Sequence, residues 1–207
     1  MTVNDYELVI SEICNFAWSS LNQEELSAAA LAYYYFSVQF RENLEIAASL
    51  YPDDKQIAHL IKEECDTANL SPWPHVAEIN ETLNHDEFMR RALLLNPIDP
   101  ATQARITNAG EQYLQRIRAI DDTVRVMSIA TYEDGGLENV FKSILQAAEW
   151  KTPLLRAFQH FLVQHIIFDG NPDTGHGSLA RHLAPDNRVT QLWIEFRNLL
   201  RVAVPKL

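Results

Sequence analysis

Residues 158–169 read FQHFLVQHIIFD, a run in which apolar residues recur at intervals of three and four. An α-helix turns once every 3.6 residues, so residues with this spacing share one face of the helix. The residues on that face are Phe158, Leu162, His165 and Asp169. The run therefore predicts an amphipathic helix that turns an imidazole and a carboxylate, about one turn apart, toward the protein core.

The same spacing continues along most of the 207 residues. Only six glycines occur, and no Asn-Gly or Asp-Gly pair joins two alternating apolar runs, so β-hairpins are not indicated. We expect an all-α fold that forms a single helical domain over residues 1–207. The predicted helices are, in chain order, residues 6–21, 22–50, 53 or 54 to 70, 75–95, 100–110, 111–133, 137–150, a helix that begins at 153, and 188–202.

Capping residues support several of these helix starts. Asn22 is followed three residues later by Glu25, which is the arrangement of a capping box. Asp99 precedes Pro100, and Thr152 precedes Pro153, so each proline falls at a first helical position, where it is well tolerated.

Composition excludes several classes of protein. A formal net charge of −11 argues against nucleic-acid binding, which depends on clustered positive charge. The sequence has neither a signal-peptide pattern at its start nor a continuous apolar run of about 18 residues, so we expect a cytoplasmic protein without a membrane partner. The two cysteines, Cys14 and Cys65, fit a reducing compartment and lack the spacing of metal ligands.

Ionisable residues fall on the apolar faces of two further predicted helices. Glu64 continues the spacing of Ile57, Leu60 and Ile61, so it is expected to face the core, whereas Glu63 is rotated about 100° away. Glu133 continues the stripe of Val126, Ile129 and Ala130, and His75 begins the predicted fourth helix above Ile79 and Leu83. The pattern thus brings side chains that can bind a metal from several helices toward one core.

Three inward carboxylates, Glu64, Glu133 and Asp169, would each cost several kcal/mol if they were ionised and alone in a core. A metal ion bound with histidine nitrogens neutralises them together, and mixed oxygen and nitrogen ligands suit iron or manganese. Each residue also has a simpler interpretation, because an inward Glu can be a salt-bridge partner and His165 with Asp169 can be a hydrogen-bonded pair. The metal site is the interpretation that accounts for the set.

Three segments resemble the heme-oxygenase-like, or TenA-like, helical bundles, and within them the branch of di-iron oxidases and oxygenases. They are residues 60–66 (LIKEECD) followed by His75, residues 130–134 (ATYED), and residues 165–170 (HIIFDG) followed by 176–180 (HGSLA). The resemblance implies a single heme-oxygenase-like domain with two iron ions, manganese being the alternative metal. The six ligands that it implies are Glu64, His75, Glu133, His165, Asp169 and His176.

The last segment departs from the family pattern. Relatives place the final histidine three or four residues after the aspartate, whereas His176 follows Asp169 by seven residues that include Pro172 and Gly175. We expect the helix to break between Gly170 and Gly175, and Asp173 is the alternative to His176. Glu63 stays the alternative to Glu64.

The resemblance implies an oxidoreductase that activates O₂ to oxidise a small organic substrate. Two other functions stay open. One is a metal-free TenA-like hydrolase of an amino-pyrimidine-type compound, for which Cys65 beside Glu64 would be the active-site cysteine. The other is a non-catalytic helical protein that binds a small molecule. A homodimer is also open, with Trp150 or Trp193 as exposed aromatic contacts.

Overall fold

The computed structural model describes residues 4–169 and 176–207, and describes Asp169 through its backbone only. The described part of the chain is all-helical, with 73% of the described residues in helices and no β-strand among them. The α-helices of this part are α1 (Asp5–Cys14), α2 (Gln23–Leu50), α3 (Lys55–Glu64), α4 (His85–Leu93), α5 (Pro100–Arg118), α6 (Asp122–Thr131), α7 (Leu137–Ile144), α8 (Pro153–Asp169), α9 (His176–Ala180) and α10 (Thr190–Ala203).

Local capping interactions fix several helix starts as predicted. The Asn22 side chain accepts a hydrogen bond from the Glu25 backbone N–H (2.9 Å), and the Glu25 carboxylate accepts one from the Asn22 N–H (2.8 Å). The side chain of Asp99 caps α5, with Pro100 in the first turn. The capping box and both proline starts are confirmed, because each depends on residues within one turn of the helix end.

The long helix α2 lies at the centre of the fold. It packs against α3, α4, α5, α6, α8 and α10, and the buried apolar residues of all these helices belong to one continuous core. Tyr33 and Phe36 of α2 contact aromatic rings of α7, α8 and α10 at centroid distances of 4.4 to 6.4 Å. Tyr33 and Phe36 thereby join α2 to α7, α8 and α10 through aromatic contacts.

The predicted fourth helix, residues 75–95, is wrong over its first half. The helix is α4, which begins at His85, and residues 65–84 form an irregular connection with isolated backbone bridges between Thr67 and Leu83 and between Trp73 and Ala77. His75 and Asn80 have φ values of 64° and 60°, which no α-helix accommodates. Asp66 has a φ of 51°, and the third helix ends at Glu64 and not at the predicted Leu70.

The predicted break at Gly110 is also wrong. The helix α5 continues through Gly110 to Arg118, and the chain divides instead before α6, where the side chain of Asp121 caps the new helix. A Cβ atom on Gly110 would lie 2.3 Å from the ring of Tyr35. This glycine therefore allows α2 and α5 to approach closely.

Three other helix ends differ from the prediction. The first helix ends at Cys14, seven residues before the predicted end, α7 ends at Ile144 and not at residue 150, and α10 spans Thr190–Ala203. A membrane-spanning helix is not found in the described part of the chain, because no helix there combines the necessary length and hydrophobicity.

Candidate metal centre

Five ionisable side chains from five different segments meet in the core beside α2. Glu64 is the last residue of α3, whereas His85 and His176 are the first residues of α4 and α9. His165 lies within α8, and Glu133 lies in a wide turn, Tyr132–Gly136, between α6 and α7. All five side chains are buried, with exposed fractions between 3% and 6%.

The Glu64 carboxylate is the centre of the cluster. Its Oε2 atom lies 2.7 Å from Nδ1 of His85, and its Oε1 atom lies 2.8 Å from Nδ1 of His176. The ring of His85 continues to His165, with 3.0 Å between Nδ1 of His85 and Nε2 of His165. On the other side, Nδ1 of His176 lies 3.2 Å from Oε2 of Glu133.

These contacts form two triads that share one carboxylate. The first triad is Glu64, His85 and His165, and the second is Glu64, Glu133 and His176. Within each triad, one ligand atom per residue lies within 4.8 Å of the others, so a single metal ion can reach all three. Glu64 thus places one carboxylate oxygen in each triad.

The arrangement of hydrogen atoms in the first triad favours a cation. His165 Nδ1 lies 2.8 Å from the backbone oxygen of Phe161, and His85 Nε2 lies 3.1 Å from Oδ1 of Asn69. Both oxygens only accept hydrogen bonds, so in the neutral rings the protons lie on these outer nitrogens. The inner nitrogens are Nδ1 of His85 and Nε2 of His165. In the neutral rings, their lone pairs face each other and Oε2 of Glu64. With both rings neutral, three lone pairs meet at 2.7 to 3.0 Å, an arrangement that a cation would satisfy.

A second observation points the same way. The Oε1 atom of Glu64 is fully buried, and its 2.8 Å contact with Nδ1 of His176 lacks the geometry of a hydrogen bond. A buried, unsatisfied carboxylate oxygen is expensive in a protein core. The donor set and this oxygen therefore fit the binding of a metal ion by mixed oxygen and nitrogen ligands.

Charge states at the centre are set by burial and by neighbours. Burial acts to raise the pKa of the Glu64 carboxyl, but the adjacent His85 and His176 outweigh it and hold this pKa well below its ordinary value. Burial, together with the neighbouring His85, lowers the pKa of His165 from 6.5 to about 3. At neutral pH the centre therefore presents an ionised Glu64 and a neutral His165, which are the forms that bind metal.

The lowered pKa of His165 predicts an acid-sensitive metal-free protein. The unfolded imidazole takes up a proton below about pH 6.5, whereas the folded one stays neutral until about pH 3, so the free energy of unfolding falls as the pH drops through this window. Between pH 7 and pH 5 we expect a loss of roughly 2 kcal/mol from this group. The depressed pKa of Glu64 adds nothing there, because its contribution is lost only below the ordinary pKa of a glutamate.

Urea unfolding in the presence of a chelator measures this loss. The control is His165→Leu, which lacks the titrating group and should lose roughly 2 kcal/mol less than wild type between pH 7 and pH 5. Equal losses in the two proteins would show that His165 is not held in its neutral form by burial.

The turn that carries Glu133 has an irregular backbone. Asp134 has a ψ of 56° and Gly135 a φ of 89°, a conformation that glycine adopts without strain. The short helix α9 packs directly on this turn, and a Cβ atom on Gly177 would lie 2.9 Å from the backbone oxygen of Glu133. The absence of a side chain at Gly177 thus lets α9 bring His176 next to Glu133.

Replacing Gly177 should therefore disturb the second triad. In Gly177→Val the added side chain must push α9 away from the turn, so we expect metal binding by Glu133 and His176 to weaken on the order of 10-fold or more. Gly110→Ala is the matched control, since it also creates a steric conflict, with Tyr35, but away from the centre. Metal titrations on both variants measure these affinities. An unchanged affinity in Gly177→Val would contradict the close-packing argument.

A small apolar cavity adjoins the cluster. Four residues of α2 at helical spacing line it, namely Tyr33, Phe36, Ser37 and Phe40. Leu137 and Phe161 complete the wall around Glu64, Glu133, His85 and His165. Its volume is about 10 Å³, which is room for about one water-sized molecule. A larger surface cavity of about 700 Å³ borders the same wide turn, but none of the five cluster residues lines it.

Four of the six ligands that the resemblance implied lie in the cluster: Glu64, Glu133, His165 and His176. Glu63, the alternative to Glu64, is only partly buried and belongs to neither triad. The side chain of Asp169, the alternative ligand Asp173 and the expected break between Gly170 and Gly175 all lie outside the described residues.

His75 requires a correction. It is exposed in the irregular connection before α4, and His85 lies in the cluster instead. A signal for His85 is present in the sequence, because Asn84 precedes it as a helix-capping residue and it shares a face with Phe88, Met89 and Ala92. The prediction begins the fourth helix at His75 and therefore misses the helix start at His85.

The suggested dimer contacts receive a correction as well. Trp193 is fully buried, and its indole N–H donates a hydrogen bond to Oγ1 of Thr131 (2.9 Å), so it is no surface contact. Trp150 is partly buried and packs against Phe158. The homodimer stays a prediction, with Trp150 as its remaining suggested contact.

Comparison of the chain with protein-family models, with curated proteins and with solved structures gives no match. The likeness to heme-oxygenase-like bundles therefore stays a prediction from the residues. Because one fold can host many activities, the function must be inferred from the chemistry of the buried cluster.

Proposed function

We propose that this protein is a non-heme di-iron oxidase or oxygenase with a heme-oxygenase-like (TenA-like) bundle, which activates O₂ to oxidise a small organic substrate. The observation that carries the proposal is the pair of buried triads that share Glu64. Buried ionisable groups are rare unless they are paired or bind metal, and here five of them converge from five segments of the chain.

The first iron position would be held by Glu64, His85 and His165, and the second by Glu64, Glu133 and His176. Asp169 stays a further predicted ligand of this centre. Iron with carboxylate and imidazole ligands supplies redox chemistry that no amino-acid side chain provides, and manganese suits the same donors. Three protein ligands per metal leave coordination positions for small molecules.

The protein contributes orientation and the exclusion of water. The Phe161 carbonyl fixes His165, and the aromatic wall of Tyr33, Phe36 and Phe40 keeps the centre in apolar surroundings. The adjoining cavity has room for about one water-sized molecule. An organic substrate reaches the centre only after side chains of this wall move, which favours a small or slender apolar substrate group.

The hydrolase alternative depends on Cys65 as the active-site cysteine. Burial, reinforced by the nearby Glu64 carboxylate, raises the pKa of the Cys65 thiol to about 12. Reactive cysteines show the opposite shift, because the thiolate is the nucleophile. Cys65 is also not among the residues that line the cavity beside the cluster. A purely structural or carrier role leaves the cost of burying Glu64 and Glu133 together unexplained.

The proposal is tested by loading the protein with ferrous iron under anaerobic conditions. We expect elemental analysis to find close to two irons per chain, one for each triad. On mixing with O₂, the loaded protein should consume O₂ and develop the near-ultraviolet absorption of ferric iron, both followed directly with an oxygen electrode and a spectrophotometer.

Cys65→Ser is the control, because this substitution leaves both triads intact and should change neither iron content nor O₂ consumption. Iron content near zero would remove the proposal. Hydrolysis of an amino-pyrimidine compound that survives chelation and is lost in Cys65→Ser would replace it with the hydrolase.

A further inference from the structure

We propose that Asn69 is a positioning residue that fixes the ring of His85 with its Nδ1 lone pair turned into the metal centre. This inference rests on the proposed function, in which His85 is a metal ligand. Asn69 lies in the irregular connection between α3 and α4, outside the face patterns that the sequence displays, and its amide group forms hydrogen bonds with the backbone of Glu63 and the ring of His85.

The orientation of the Asn69 amide is determined by its contacts. Its Nδ2 group donates a hydrogen bond to the backbone oxygen of Glu63 (2.8 Å), and its Oδ1 atom lies 3.1 Å from Nε2 of His85. A backbone oxygen only accepts, so the amino group must face Glu63 and the carbonyl oxygen must face the imidazole. Asn69 therefore offers His85 an acceptor and never a donor.

This acceptor selects one form of the His85 ring. A neutral imidazole carries one proton, and donation to Asn69 places it on Nε2, which leaves a lone pair on Nδ1. Nδ1 is the atom that faces Oε2 of Glu64 at 2.7 Å and Nε2 of His165 at 3.0 Å. Without Asn69, the proton is free to move to Nδ1 and donate to Glu64. The residues of the first triad would then hydrogen-bond to one another. A metal ion would have to displace the Nδ1 proton of His85 before it could bind there.

The connection that carries Asn69 is tied at both ends beside the centre. Thr67 and Leu83 exchange two backbone hydrogen bonds of 3.1 and 2.9 Å, and the Asp66 N–H donates to Oδ1 of Asn84 (2.9 Å). Asn69 thereby links the residue before Glu64 to the ring of His85. Partners of this kind orient metal-binding histidines, and their loss typically weakens metal binding 10–100-fold.

The test compares Asn69→Leu with Asn69→Asp. Both variants lose the donor to Glu63, but only aspartate keeps an acceptor oxygen for His85. We expect Asn69→Leu to lower iron affinity about 10–100-fold and Asn69→Asp to restore most of it. Thermal unfolding of the two metal-free variants measures the stability that each loses with the hydrogen bond to Glu63. If Asn69 only stabilised the fold, both variants would lose stability and iron affinity to the same extent. Asn69→Leu and Asn69→Asp binding iron equally tightly would overturn the proposal.

A second measurement needs no metal. Long-range ¹H–¹⁵N correlation spectra of the metal-free protein show which nitrogen of His85 carries the proton. We expect Nε2–H in wild type and in Asn69→Asp, and a shift toward Nδ1–H in Asn69→Leu. A proton on Nδ1 in wild type would also overturn the proposal. If wild type binds no iron, the proposed function fails, and these spectra alone then decide whether Asn69 orients the ring.

Discussion

Glu64→Gln should reduce the iron content of the reconstituted protein from about two ions per chain to almost none. Glu64 is the one residue that both triads contain, so its loss removes a ligand from each metal position at once. The amide of glutamine keeps the shape of the side chain, but it lacks the negative charge that balances two divalent ions in a buried site. Loss of a partner outside the ligand set costs 10–100-fold in affinity, so loss of a shared ligand should cost on the order of 100-fold or more.

Glu63→Gln is the matched control for this prediction. It changes the same residue type one position earlier, on a side chain that is partly buried and belongs to neither triad. We expect this variant to hold as much iron as wild type. Elemental analysis and an anaerobic iron titration measure both variants, and urea unfolding without metal checks that both fold. Iron binding that survives Glu64→Gln and is lost in Glu63→Gln would assign the ligand to Glu63.

Helices with local signals could be predicted from the sequence. The capping box of Asn22 and Glu25 and the proline starts at Pro100 and Pro153 depend on neighbouring residues, and all three appear as expected. Gly110 shows the limit of such reasoning. Glycine usually weakens a helix, but here α2 packs so closely on α5 that no side chain fits, and only the tertiary structure reveals this contact.

In the candidate site, too, local sequence patterns predict some residues, and only the tertiary structure reveals the others. Glu64, Glu133 and His165 lie on apolar stripes, so helical periodicity was enough to turn them inward. The connection of residues 65–84 has no periodicity to guide a prediction, and the spacing of Ile79 and Leu83 imitates a helix although Ile79 is 76% exposed. Asn69 could not be predicted, because its role depends on a contact with a residue 16 positions away.

The pair His85→Ala and His75→Ala tests where the second histidine of the centre lies. The family resemblance implies His75, whereas the structure brings His85 to within 2.7 Å of Glu64 and 3.0 Å of His165.

In His85→Ala, the first triad keeps only Glu64 and His165, and the removed ring leaves room for water beside an ionised carboxylate. We expect the iron content to fall to one ion per chain or fewer, and O₂ consumption by the ferrous protein to drop on the order of 100-fold.

His75→Ala is the matched control, because it removes the same side chain from an exposed position with a φ of 64° and should leave iron content and O₂ consumption unchanged. Both variants are reconstituted and assayed in parallel, and circular dichroism verifies their helix content. Loss of iron in His75→Ala, with wild-type behaviour in His85→Ala, would mean that residues 65–84 rearrange around the metal, because only such a movement could bring His75 to the centre.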